Sequence, residues 1–157
     1  MLATVLAIAG TLLGAIVSGL FQHASAGRTE QTARHEQHRA AQLEAITTLA
    51  VAISDHRTAM WVRGDALLKG DPQERVRELQ TRSHTTRSAV TRPLIALRLH
   101  VTDPAIRQAA DAMVTATYSM RTAYDSTEHL TQARENALTA HDEFVDAAAL
   151  YLKIQSA

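Results

Sequence analysis

The six residues Lys69-Gly70-Asp71-Pro72-Gln73-Glu74 constrain the fold more than any others in this sequence. Gly70 suits the left-handed position just past a helix, because it has no Cβ to clash there. Asp71, Pro72 and Glu74 then read as N-cap, first helical residue and third helical residue of a new helix. One helix stops and another begins within about two residues. A connection that short sends the second helix back along the first, as an antiparallel pair.

The flanking segments carry the period such a pair needs. Upstream, Leu43, Ile46, Leu49, Ala50, Ile53, Met60, Trp61, Leu67 and Leu68 recur at helical spacing. Downstream the ladder is Val76, Leu79, Ser83, Thr86, Val90, Leu94, Leu97 and Val101, underweight in its middle where Ser83 and Thr86 replace large apolar residues. Pro93 predicts a kink or brief break near Thr91. Thr102-Asp103-Pro104 is a second cap-plus-proline restart, followed by Ile106, Ala109, Ala110, Met113, Ala116, Thr117, Met120 and Tyr124. Asp125-Ser126-Thr127-Glu128 offers a further capping box, and a last ladder runs from Leu130 to Leu152. No Gly or Pro forces that last break, which leaves three long helices as the alternative. A single helix over 104–154 would overhang its partners, so a break is expected. The fold class is all-α: an up-down-up-down bundle over 43–157 with helices near 43–69, 72–100, 104–124 and 126–154.

Ahead of the bundle lies a different kind of segment. Leu2–Phe21 holds no charge and nothing more polar than Thr4, Thr11 and Ser18. As a helix it would rise about 30 Å, the thickness of a bilayer's hydrocarbon core. Ala24-Ser25-Ala26 fits a signal-peptidase site, but no Lys or Arg precedes the apolar run, and the run exceeds a usual signal core. Residues 1–22 therefore read as a retained transmembrane helix, and 23–42, which carry no large apolar side chain, as a polar helical stalk. Arg28, Arg34 and Arg39 follow the span and only the α-amine precedes it. That asymmetry predicts a single-pass inner-membrane protein with a cytoplasmic bundle. Gly10, Gly14, Ala15 and Gly19 place small residues one turn apart, a candidate packing face for a second transmembrane helix. The membrane itself, a second copy or another membrane protein are the expected partners.

Composition excludes more than it assigns. The formal net charge is zero, so the chain has no overall pull toward nucleic acid. With no cysteine, disulfides, thiol catalysis and cysteinyl metal sites are excluded. Charge is nonetheless segregated: residues 72–101 sum to +4 and residues 102–157 to −4. The halves would complement each other across the bundle. A basic face for lipid or DNA is the sharper alternative, disfavoured because the arginines of 72–101 spread over many helical angles.

No catalytic constellation emerges, and no cofactor is implied. His35-Glu36-Gln37-His38 places two histidines on one face, but position 39 is Arg39, so this is not the zinc-protease pattern. His141-Asp142-Glu143 and Asp55-His56-Arg57 sit on helices, where neighbours point apart; His141 reads as a core or boundary residue. Glu78, Glu128 and Glu135 lack the histidine three residues on that a di-iron bundle uses. Arg63-Gly64-Asp65 matches a cell-adhesion tripeptide by chance frequency alone, and Trp61 reads as core.

Four stretches, LATVLAIAGTLLGA at 2–15, RTAMWVRGDA at 57–66, SAVTRPLIALRL at 88–99 and AHDEFVDAAALYL at 140–152, resemble KilB-like single-span proteins of mycelial actinobacteria. The resemblance implies a membrane-associated accessory to the spread of conjugative plasmids, or a chromosomal relative of other role. It transfers no functional residue. Its expected mode is non-enzymatic tethering, in which confinement to a membrane raises a partner's effective concentration. The rival from another class is an extracytoplasmic sensor-like bundle that binds a ligand between its helices, beside Ser83 and Thr86.

Overall fold

In the computed structural model, the described residues are the backbone of 2–154 and the side chains of 33–154. Their order is α1 (Leu2–Lys69), α2 (Gln73–His100), α3 (Pro104–Ser119), a 3-10 turn (Met120–Thr122) and α4 (Thr127–Ile154), with no strand among them. The chain divides into two compact units, Met1–Ala40 and Ala41–Ala157. In the first, residues 33–40 are exposed all round, as their polar composition requires. The expected anchor over 1–22 and its packing face of Gly10, Gly14, Ala15 and Gly19 lie outside the described side chains. Among the described residues no helix is long and apolar enough to cross a membrane.

The second unit is a bundle of four helices. At the end of α1, Gly70 adopts φ 70°, its N–H bonding to Leu67 O at 3.2 Å and that of Asp71 to Ala66 O at 3.0 Å. This is the Schellman closure, which needs glycine at its left-handed residue. The restart differs in detail from the sequence expectation. The cap position of α2 is Pro72, without a side-chain cap bond, so Asp71 is not the N-cap. Pro93 does not break α2, which runs unbroken through it with the ring buried. At α3 the cap forms as read: Asp103 Oδ1 accepts from Ala105 N at 2.8 Å and Ile106 N at 3.2 Å, and Pro104 opens the helix. α3 and α4 are separate helices. Ser126 Oγ accepts from His129 N at 3.1 Å, which shifts the capping residue one place on from Asp125.

Cross-helix bonds give the topology. Gln42 Nε2 donates to His100 O and to Tyr151 Oη, each at 2.9 Å, while His56 meets Thr86 and Arg63 meets Ser83. As α1 numbers rise, α2 numbers fall, so the two run antiparallel. Arg98 to Asp111 and Arg87 to Tyr118 set α2 antiparallel to α3 in the same way. The result is up-down-up-down. One core cluster joins Ile46, Leu49 and Ile53 to Val90, Leu97, Val101, Ile106, Met113, Phe144 and Ala148. A smaller one joins Met60, Met120, Leu130 and Ala137. Two rungs of the first ladder face solvent instead: Leu43 is 48% exposed and Leu67 is 39% exposed. The buried face of α1 runs through Gln42, Ala45, Ile46, Leu49, Ile53, His56, Met60 and Arg57, and Leu43 lies at its edge, about 100° round the helix from Gln42.

Candidate functional site

Between the two apolar clusters the bundle interior becomes polar. His56, Met60 and Arg63 fall at i, i+4 and i+7 on α1, one face of a helix. Gln80, Ser83, His84 and Arg87 fall at i, i+3, i+4 and i+7 on α2. Tyr118, Arg121, Thr122 and Tyr124 come from the end of α3 and the turn after it. These residues line one cleft of about 380 Å³.

The cleft exists because α2 is short of bulk there. Ser83 is buried yet fills little space; its hydroxyl donates to Gln80 O at 2.8 Å and accepts a long bond from Arg63 Nη1 at 3.4 Å. The Thr86 hydroxyl bonds back to Arg82 O and Ser83 O, and lies 3.0 Å from His56 Nδ1. With the hydroxyl proton used on its own helix, we assign His56 Nδ1–H as the donor to Thr86. His56 is 2% exposed, and burial, then the charges of Arg87 and His84, push its pKa down from 6.5 to about 4. It is a neutral imidazole at neutral pH.

Aromatic rings hold the arginines in place. The Arg87 guanidinium stacks 4.3 Å above the Tyr118 ring, whose other contact is an edge-on His56 ring at 5.3 Å. Arg63 lies 5.6 Å from the Tyr124 ring centre. Tyr124 Oη donates to Met60 O at 3.1 Å, and burial raises its pKa despite Arg63 beside it. A Cβ on Gly64 would stand 2.7 Å from the Tyr124 ring and 2.8 Å from Leu130. Only glycine lets α1 approach this ring, so Gly64 in the Arg63-Gly64-Asp65 tripeptide is a packing residue.

The electrostatics are one-sided. Arg63, Arg87 and Arg121 line the cleft with His56 and His84, and no Asp or Glu does. Arg63 Nε is buried without a hydrogen-bond partner. Two arginines outside the cleft do pair with acids: Arg98 with Asp111 at 2.9 Å across α2 and α3, and Arg75 with Glu78 at 3.3 Å. These exposed pairs contribute little to stability. The α2 arginines 75, 77, 82, 87, 92 and 98 are all exposed and point around the helix rather than along one stripe.

The remaining sequence candidates are dispersed. His35, Glu36 and His38 are exposed, and no group of three potential metal ligands occurs among the described residues. Asp55 is exposed, His56 faces the cleft, and Arg57 is buried with Nη2 on Ser54 Oγ at 3.1 Å. His141 is a boundary residue whose Nδ1 stands 3.5 Å from Asp142. Trp61 packs half-buried on the smaller core cluster, with Arg134 over its ring at 5.1 Å. Of the two residues marked by the gap in the α2 ladder, Ser83 lines the cleft and Thr86 does not, and the arginines carry no such mark. Nothing in the spacing of Arg63, Arg87 and Arg121 shows that three helical segments bring them to one opening.

Comparison with known proteins gives a family. The family model described as KilB plasmid transfer protein matches residues 43–152, nearly the whole bundle. Protein KilB of Streptomyces lividans is 44% identical over 149 residues, covering 95% of this chain and 97% of that relative. No solved structure matches.

Proposed function

The chain belongs to the KilB plasmid transfer protein family, and from that premise we propose that it serves plasmid transfer as a non-enzymatic, membrane-tethered helical assembly module. The observation that carries the reading is the family match over the bundle, taken with the uncharged Leu2–Phe21 segment. In this reading the segment anchors the chain in the cell membrane, and Arg28, Arg34 and Arg39 keep the bundle on the cytoplasmic side. The bundle's partner is a second copy or another membrane protein. Confinement to two dimensions supplies the effective concentration that a weak helical interface needs.

A second reading, a sensor-like bundle taking a ligand between its helices, is supported by the cleft beside Ser83. Topology separates the two. In a transfer-deficient host, the full chain with a C-terminal reporter should restore plasmid spread, and the reporter should work only in the cytoplasm. A version lacking residues 2–21 should leave the membrane fraction and lose complementation. A reporter active only outside the membrane would sink the cytoplasmic tether and favour the external sensor.

A further inference from the structure

Three guanidinium groups, two imidazoles and no carboxylate line one opening in the bundle, which is an unbalanced arrangement for a structural feature. Between α2 and α3, Arg98 has its acid in Asp111, whereas the cleft offers none. Like charges held together raise one another's energy unless something negative enters. Arg63 Nε is buried beside the cleft without an acceptor, and a buried donor left unpaired costs free energy. The space suits a small molecule: about 380 Å³ lies at the lower end of the range for ligand pockets.

From these observations we propose that the cleft lined by Arg63, Arg87 and Arg121 binds a small phosphate monoester. The inference rests on the between-helix ligand reading and names the ligand's chemistry. A planar carboxylate has two oxygens with all their acceptor sites in one plane, and one arginine fork engages both oxygens. Three arginines with the Thr122 hydroxyl and the Gln80 amide supply more donors than that, from several directions, and match a tetrahedral dianion with three terminal oxygens. Arg87 and Arg63 are already held against Tyr118 and Tyr124, so little side-chain freedom remains to be lost on binding. The rings of Tyr118 and Tyr124 and the Met60 side chain provide an apolar wall for the organic part of the ester.

The test is titration calorimetry on the full chain in detergent micelles, with inorganic phosphate, AMP and adenosine as probes. AMP should bind, phosphate should compete with it, and adenosine should bind at least tenfold more weakly. Arg87→Gln and Arg121→Gln alter exposed side chains and should leave the fold intact by circular dichroism. Each should weaken AMP binding by about tenfold, the loss of one charge-assisted hydrogen bond. Arg77→Gln, outside the cleft, should change nothing. Adenosine binding as tightly as AMP, with no effect of the arginine variants, would overturn the phosphate proposal and leave the ligand reading standing. No binding of any probe would remove both.

Discussion

His56 shows how one residue writes the environment of the cleft into the whole chain's stability. Its ring is buried beside Thr86, Tyr118, Arg87 and His84, so a proton there is disfavoured and the pKa falls from 6.5 to about 4. Above pH 6.5 the imidazole is neutral in folded and unfolded chains alike, and this group does not make stability depend on pH. As pH falls through 6.5 the unfolded chain takes up its proton first, and native stability declines until the folded group protonates near pH 4. The loss across that window is about 3 kcal/mol. Urea unfolding of the full chain at pH 7, 5.5 and 4, compared with His56→Gln, isolates this contribution from those of the carboxylates. The variant should lose less stability on acidification; parallel pH profiles would show that the His56 environment is not as described. At this scale the sequence is least informative. His56 and Arg57 are adjacent, both buried, and serve different neighbours, which nothing in the local pattern distinguishes.

Among the elements, helix ends were more legible than helix faces, and the reason is locality. A cap is built from residues within a turn of one another, so Gly70 and the Asp103-Pro104 pair announce themselves. Where the reading slipped, it slipped by one residue, at Pro72 for Asp71 and at Ser126 for Asp125. Pro93 is instructive, because it does not break the helix. Its ring removes one bond from α2, but it is buried between Val90 and Leu97 on the face packed into the core, and that packing keeps the helix continuous. Leu43 faces solvent because Gln42, whose Nε2 donates to His100 O and Tyr151 Oη, occupies the inward position. Asp103 accepts two backbone N–H groups at the start of α3, and Asp103→Ala should cost about 1 kcal/mol. In a chain of this size that lowers the melting temperature by about 2–4 °C. A scan showing no shift would mean that the cap is not engaged in solution.

For the molecule as a whole, the all-α class and four-helix plan followed from periodicity and turn chemistry, whereas the cleft followed from their absence. A gap in the α2 ladder marked where bulk was missing, but three separate segments had to fold together before Arg63, Arg87 and Arg121 shared it. The proposed tethering also belongs to this scale. If the bundle works as a membrane-confined pair, the small residues of the first segment are where two chains would meet. Gly14→Leu should then lower the yield of crosslinked dimer in membranes without lowering the amount of protein there. An unchanged yield would move self-association, if present, to the bundle.

Trp61 has an optical consequence. It is the sole tryptophan in the chain, half-buried on α1 with Arg134 of α4 seated over its ring. Its emission therefore comes from one place, the seam between the first and last helices of the bundle. Separation of those helices would admit water to the indole and shift the emission to longer wavelength. The protein thus carries a built-in, label-free gauge of that seam, readable in detergent, in vesicles or in the presence of a partner.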